Sequence, residues 1–312
     1  MAKRDAGSEQ PPPHPPRGRR GWRIFKWAVR AGVVLLILGY LTLVGLDGCF
    51  YYPDNRIYLR AEELRLPYED VRFQTGDGLT LAGWYFPAAA EPLRGTIVHF
   101  HGNAANITNH LPLVSWLPYE GFNLLMFDYR GYGQSQGRVT RAGTISDGHA
   151  ALDYALSRPE VRGGPVFVYG HSLGGAVAVT VAVERPEVTA VIAESTFGSY
   201  RGIAARHARG LVFVPVLADA LAALTISRGH DPIDVVARLA PRPLLVIVAE
   251  NDRTCFPELG RELYEAAAQP KEFWRAPRAD HLDILEHHPS ELPRRIIGFC
   301  ERAGRAWPYS GR

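Results

Sequence analysis

Gly170-His171-Ser172-Leu173-Gly174-Gly175 joins two apolar runs, residues 165–169 and Ala176-Val177-Ala178-Val179-Thr180-Val181-Ala182. The first has the length of a buried strand and the second continues as an apolar helix, so a serine stands at the apex of a tight strand-to-helix turn. The spacing is G-x-S-x-G, and each small residue in it has a steric task. Such a turn forces the serine into a strained backbone conformation, and Gly170 and Gly174 must let strand and helix pass close together. The N–H of Leu173, at the helix start, then points to the place where an oxyanion would form. An ordinary glycine-rich turn shares the five-residue pattern but does not need the flanking strand and helix.

Working outward, short and nearly continuous apolar runs occur at residues 96–100, 123–127, 166–169, 188–193 and 244–248. Runs of that kind belong to a parallel sheet buried on both faces. Helical patterns lie between them at residues 107–117, 145–157, 173–183 and 257–268, and residues 292–303 read as a closing helix. Residues 71–75 and 79–86 alternate around Gly76-Asp77-Gly78 as an antiparallel hairpin, and residues 271–276 alternate as an edge strand. Strands alternating with helices predict an α/β fold, a mostly parallel sheet with helices on both faces. Residues 197–239 are too long for a plain connection and predict a small lid.

A serine hydroxyl is a weak nucleophile, so Ser172 needs a base, and that base needs an orienting acid. Downstream, the run 244–248 leads into Ala249-Glu250-Asn251-Asp252. Acids just past a strand's C-terminal end face the side of the sheet on which the turn opens. Asp252 is the first choice and Glu250, nearer the strand end, the second. His281 follows the last predicted strand in the loop Pro277-Arg278-Ala279-Asp280-His281 and is the candidate base. Phe100-His101-Gly102-Asn103 ends the strand before the first helix of the sheet, and the N–H of Asn103 is the second candidate oxyanion donor beside that of Leu173. His101 reads as a loop-shaping residue, and Asp128-Tyr129-Arg130-Gly131-Tyr132-Gly133-Gln134-Ser135 as a structural turn bracing the serine.

HGNAAN, DYRGYGQSQG, GHSLGG, ESTF and the acid and histidine loops, over about residues 70–302, make the chain resemble the α/β-hydrolase superfamily. Within it the chain is similar to the membrane-anchored α/β-hydrolase-domain-containing and serine-aminopeptidase-like serine hydrolases. The resemblance implies Ser172, Asp252 and His281 as a triad, Asn103 and Leu173 as oxyanion donors, and no metal or organic cofactor. The reaction reads as acyl transfer through an acyl-enzyme on a small-molecule or lipid acyl ester or thioester, since alkoxide and thiolate leave more easily than amine and a membrane tether suits lipid or acylated substrates. A peptidase, or a noncatalytic tethered binding protein, is the alternative. Two loops depart from the family pattern, and in the acid loop Asp252-Arg253-Thr254-Cys255-Phe256-Pro257 stands where Val-Pro usually follows the acid. Ala249 stands where glycine is usual, and Asp280 rather than glycine precedes the histidine.

Charge is unevenly placed along the 312 residues. Residues 1–30 hold eight Lys or Arg against Asp5 and Glu9, so the tail is +6 within a total of +3 and the remainder is −3. The folded part therefore gives no reason to expect nucleic-acid binding. Residues 1–26, rich in Pro and Arg, predict a disordered basic tail. Residues 31–46 carry no charge. With residues 27–30 and a snorkelling Arg30 they reach about 30 Å as a helix, the depth of a hydrocarbon core. We read residues 27–48 as a signal anchor with the N-terminus cytoplasmic and the catalytic domain, residues 70–304, outside. Leu46-Asp47-Gly48-Cys49 also resembles a lipobox, which would anchor the chain at Cys49, and a cleaved signal peptide is the third reading. Three cysteines, Cys49, Cys255 and Cys300, are too few for a disulfide framework.

Overall fold

The computed structural model describes residues 18–44, 46–210 and 214–306, without the side chains of residues 18–20 and most of those of residues 31–44. It forms two compact units, Met1–Val44 and Gly45–Arg312. In the first, helix α1 spans Gly18–Val44. The expected tail lies outside the described residues up to residue 17, but residues 18–26 are helical, not disordered. Proline stops at Pro16, and the helical spacing lets Trp22 stack on Phe25 at 5.8 Å and Lys26 sit over the Trp22 ring at 5.2 Å. Among the described residues no helix is long and apolar enough to cross a membrane.

The second unit begins at residue 45, not at 70 as the motifs suggested. A two-residue strand β1 (Tyr52–Pro53) pairs in parallel with β5 (Ala104–Ala105), and Ala61 and Leu66 are buried. Sequence pattern does not show so short a pairing between residues fifty apart.

The main sheet contains β2 (Glu69–Gln74), β3 (Thr80–Phe86), β4 (Gly95–Phe100), β6 (Phe122–Phe127), β7 (Val166–His171), β8 (Val188–Glu194), β9 (Leu244–Ala249) and β10 (Lys271–Ala276). Their order is β10-β9-β8-β7-β4-β6-β3-β2. β2 and β3 are antiparallel to their neighbours, and the other pairings are parallel. Alternation explains the continuous apolar runs. In β7, Val166 and Val168 face one hydrophobic cluster while Phe167 and Tyr169 face the other. α3 (Arg141–Ser157), α4 (Leu173–Glu184) and α8 (Pro257–Ala266) cover the first face. α2 (Ile107–Val114) and α10 (Glu291–Arg305) cover the second. α4 is apolar all round because it is covered all round, and Leu173 to Ala182 are buried.

The expected lid contains α5 (Tyr200–Ala208), α6 (Pro215–Thr225) and the short α7 (Pro232–Val235), with residues 211–213 outside the described residues. A further short helix, α9 (Ile284–His287), precedes α10. All the loops that carry the candidate site leave the C-terminal ends of β4, β7, β9 and β10, on one rim of the sheet.

Candidate active site

Ser172 sits between β7 and α4 at φ 54°, ψ −123°, a left-handed backbone that costs a non-glycine residue about 1–3 kcal/mol. The surroundings over-determine it. Its N–H donates to Glu194 O at 2.9 Å, and its carbonyl accepts from Thr196 Oγ1 at 2.6 Å and from the Gly175 N–H at 3.0 Å. A Cβ on Gly170 would collide with the Gly174 carbonyl, and one on Gly174 with the Phe100 carbonyl. Both glycines are thus required by the close passage of strand and helix.

The acid and the histidine meet. Asp252 Oδ2 lies 2.7 Å from His281 Nδ1, while Asp252 Oδ1 accepts the N–H groups of Thr254 at 2.8 Å and Cys255 at 2.7 Å. The Asp252 carboxylate is buried, and His281 keeps partial exposure. Two backbone N–H groups hold the carboxylate in one orientation through Oδ1, and Oδ2 fixes the imidazole with Nδ1–H toward it and Nε2 free to take a proton. Glu250 is not brought to the histidine. Its carboxylate accepts the Arg278 N–H at 2.9 Å and pairs loosely with Arg275 at 3.7 Å. The departures at Ala249 and Asp280 are accommodated locally. Ala249 ends β9 in register with Ala276, and Asp280 Oδ1 accepts the N–H of His281 at 2.8 Å.

Ser172 and His281 share no hydrogen bond among the described residues. The Ser172 hydroxyl instead faces the Cys255 thiol, with Oγ and Sγ 3.6 Å apart. Burial, reinforced by the Asp252 carboxylate, pushes the Cys255 thiol well up, so it stays protonated at neutral pH and is no rival nucleophile. All three cysteines are free.

The N–H groups of Leu173 and Asn103 have no hydrogen-bond partner among the described residues, and both residues line a cavity at Ser172. The orientation of Asn103 has an identifiable cause. His101 Nδ1 lies 2.8 Å from Gly102 O, which belongs to the same peptide plane as the Asn103 N–H. His101 Nε2 accepts the Tyr129 N–H at 3.4 Å, so Nδ1 is the protonated nitrogen and donates to Gly102 O. Burial holds the imidazole neutral, with its pKa well below the usual histidine range. On the next peptide, Asn103 O accepts from Tyr52 N at 2.8 Å and from Tyr132 Oη at 2.8 Å. The DYRGYG turn therefore braces the oxyanion loop, through Tyr129 and Tyr132, more directly than it braces the serine.

Two features of the site escaped sequence reasoning. One is Cys255, 83 positions from Ser172 with no motif to mark it. The other is a buried polar chain under the serine. Tyr169 Oη donates to Glu194, His171 Nε2 lies 3.6 Å from Glu194 Oε1, and His171 Nδ1 lies 2.9 Å from His99 Nε2. Histidines placed within otherwise apolar strands, His99 in β4 and His171 at the end of β7, were the available signal. Among the described residues no group of His, Cys, Asp or Glu is disposed to hold a metal.

The cavity at Ser172 has a volume of about 400 Å³. Its wall is mostly apolar, with Leu46, Phe50, Phe197, Ile203, Leu221 and Ile226 among its large side chains, and no carboxylate lines it among the described residues. The lid supplies much of that wall, and His207 Nε2 ties the lid to the acid loop through Thr254 O at 2.9 Å.

Comparison with known proteins agrees with this architecture. Residues 91–238 match the family described as serine aminopeptidase, S33. The uncharacterized protein YfhR of Escherichia coli K12 is 34% identical over 250 residues, 78% of this chain and 83% of that protein. The alpha/beta hydrolase domain-containing protein WAV2 of Arabidopsis thaliana is 35% identical over 56% of this chain and 57% of its own length. Among solved structures, the Pyrococcus furiosus esterase Pf2001 has the same fold, with a TM-score of 0.68 at 24% identity over 81% of this chain and 98% of that one. With a strained serine elbow, a mostly parallel sheet and relatives matched over most of both chains, the protein belongs to the serine aminopeptidase S33 family of α/β hydrolases.

Proposed function

We propose that the protein is a serine hydrolase of carboxylic esters or thioesters, with Ser172, His281 and Asp252 as nucleophile, base and orienting acid. The Ser172 hydroxyl turns from Cys255 to His281 Nε2, which takes its proton as Oγ bonds to the substrate carbonyl carbon. The Leu173 and Asn103 N–H groups stabilise the tetrahedral oxyanion. As the carbonyl re-forms, the C–O or C–S bond breaks and His281 returns the proton to the leaving alkoxide or thiolate. Water then attacks the acyl-enzyme with His281 again as base, releasing a carboxylic acid and Ser172.

The observation that carries the ester reading is the cavity. It offers apolar side chains to an acyl chain and, among the described residues, no carboxylate to hold the ammonium of a peptide N-terminus. The family's description favours an aminopeptidase, so the direct test compares the two bonds. Full-length protein in detergent is given medium-chain acyl esters and aminoacyl amides, beside Ser172→Ala. Ester turnover absent from the variant supports the proposal, and turnover confined to the amides overturns it.

We also infer that the N-terminal helix anchors the chain with the hydrolase unit extracytoplasmic. The basic flank, the uncharged run 31–46 and the exposure of Trp22, Phe25, Trp27, Val33 and Leu36 support this. Lipidation at Cys49 would require cleavage before it. That would remove Leu46 and Asp47, which the hydrolase unit uses. Leu46 N–H donates to Thr225 O at 2.8 Å, and Asp47 pairs with Arg141 and accepts the Ser227 N–H at 3.2 Å.

A further inference from the structure

Helix α6 of the lid is amphipathic in an unusual sense. Ala218, Ala222 and Thr225 point inward and are buried, as the i, i+4, i+7 spacing requires. The opposite face should be polar if it met water. Instead it presents Val216, Leu217 and Leu224 at 76%, 56% and 60% exposure, with Ala220 and Ala223 between them and Val214 exposed just before the helix. Its one charge, Asp219, is paired with Arg209 at 2.7 Å. An outward apolar face of this kind marks an interaction surface.

Two further observations choose the occupant. The first is where the chain comes from. The uncharged run 31–46 ends at Leu46, and Leu46 is hydrogen-bonded to Thr225, the last residue of α6. Asp47 then binds the N–H of Ser227, two residues further on. The end of the apolar run and the end of the apolar lid helix are therefore joined. The second is charge. Arg206 in the last turn of α5 and Arg228 shortly after α6 are exposed, which suits an anionic headgroup layer beside an apolar face.

We propose that the outer face of α6 docks on a lipid bilayer and that the cavity behind it receives an acyl chain from that bilayer. The same helix supplies both surfaces, since Leu221, Ala222 and Thr225 line the cavity that reaches Ser172. This deepens the ester-hydrolase reading and rests on it for the chemistry, whereas the docking itself is independent of any reaction.

The test uses the full chain reconstituted in vesicles of phosphatidylcholine and phosphatidylglycerol. Single cysteines, Val216→Cys or as control Arg294→Cys on α10, are placed in a Cys49→Ser background and labelled with an environment-sensitive fluorophore. Lipids brominated in their tails should quench the label at residue 216 and spare the one at 294. Absence of quenching at 216, equal quenching at both positions, or failure of the protein to float with the vesicles overturns docking. Independently, Leu217→Asp with Leu224→Asp should lower hydrolysis of a long-chain ester embedded in the vesicle about 10-fold while leaving a soluble short-chain ester unchanged. Equal loss on both substrates overturns the route from bilayer to cavity. Quenching at 216 in the labelled variant, with a wild type that cleaves no ester, would instead sink the ester reading and leave docking standing.

Discussion

The serine elbow and the lid follow opposite packing rules. At the elbow residues 170–175 are all buried, the Ser172 backbone is held in a strained conformation by three hydrogen bonds, and two glycines admit no Cβ. In the lid, a helix of small and aliphatic residues turns apolar side chains both into a cavity and outward. A rigid elbow fits chemistry common to every substrate, because preorganised donors and a fixed nucleophile stabilise one transition state. An apolar lid fits selection among substrates. Changes near the elbow should therefore cost all substrates alike, and changes in the lid should separate long acyl chains from short ones.

The largest effect should come from the orienting acid. Asp252→Asn is expected to lower kcat about 10,000-fold by allowing the wrong His281 tautomer. Glu250→Gln should stay within about 2-fold, since Glu250 contacts the Arg278 N–H and the Arg275 side chain and is not brought to His281. Steady-state kinetics on one ester checks both, and a larger loss at Glu250 would break the assignment. Next is His101→Ala, which frees the peptide plane carrying the Asn103 N–H. It should lower kcat about 100-fold with KM little changed, on short and long esters equally. A rise in KM alone would mean that His101 shapes the pocket and not the oxyanion site.

On the lid side, Ala204→Phe fills part of the cavity. It should lower kcat/KM for long-chain esters about 10-fold relative to an acetyl ester, measured as a ratio within the variant. An unchanged ratio would place the acyl chain elsewhere. The smallest effect concerns pH. Burial raises the Asp128 carboxyl from 3.8 to about 7, so the fold favours its protonated form. Its stability contribution is complete below pH 3.8 and is lost as pH rises through about 7. Melting curves across that window should fall more steeply for wild type than for Asp128→Asn, and parallel curves would refute this.

The buried strands were readable in the sequence because both faces of the sheet are covered, which turns β4, β6, β7, β8 and β9 into nearly continuous apolar runs. The elbow was readable for a local reason, since its steric demands fall within six consecutive residues. The choice between Asp252 and Glu250 was not, because both follow the same strand and only the turn geometry after Ala249 decides which reaches His281. The attachment of residues 46–67 to the hydrolase unit was not readable, because each tie joins positions distant in sequence, such as Leu46 to Thr225 and Tyr52 to Ala104. The proximity of Cys255 to Ser172 depends on two loops from different strands, and neither carries a pattern that reveals the other.

Covalent labelling of the full-length protein by a fluorophosphonate, followed by peptide mapping, tests the central claim most directly. A single adduct on Ser172 in the wild type, absent from a folded Ser172→Ala variant, is the result expected of an activated serine at the elbow. An adduct on another residue, or none on a folded wild type, would contradict it.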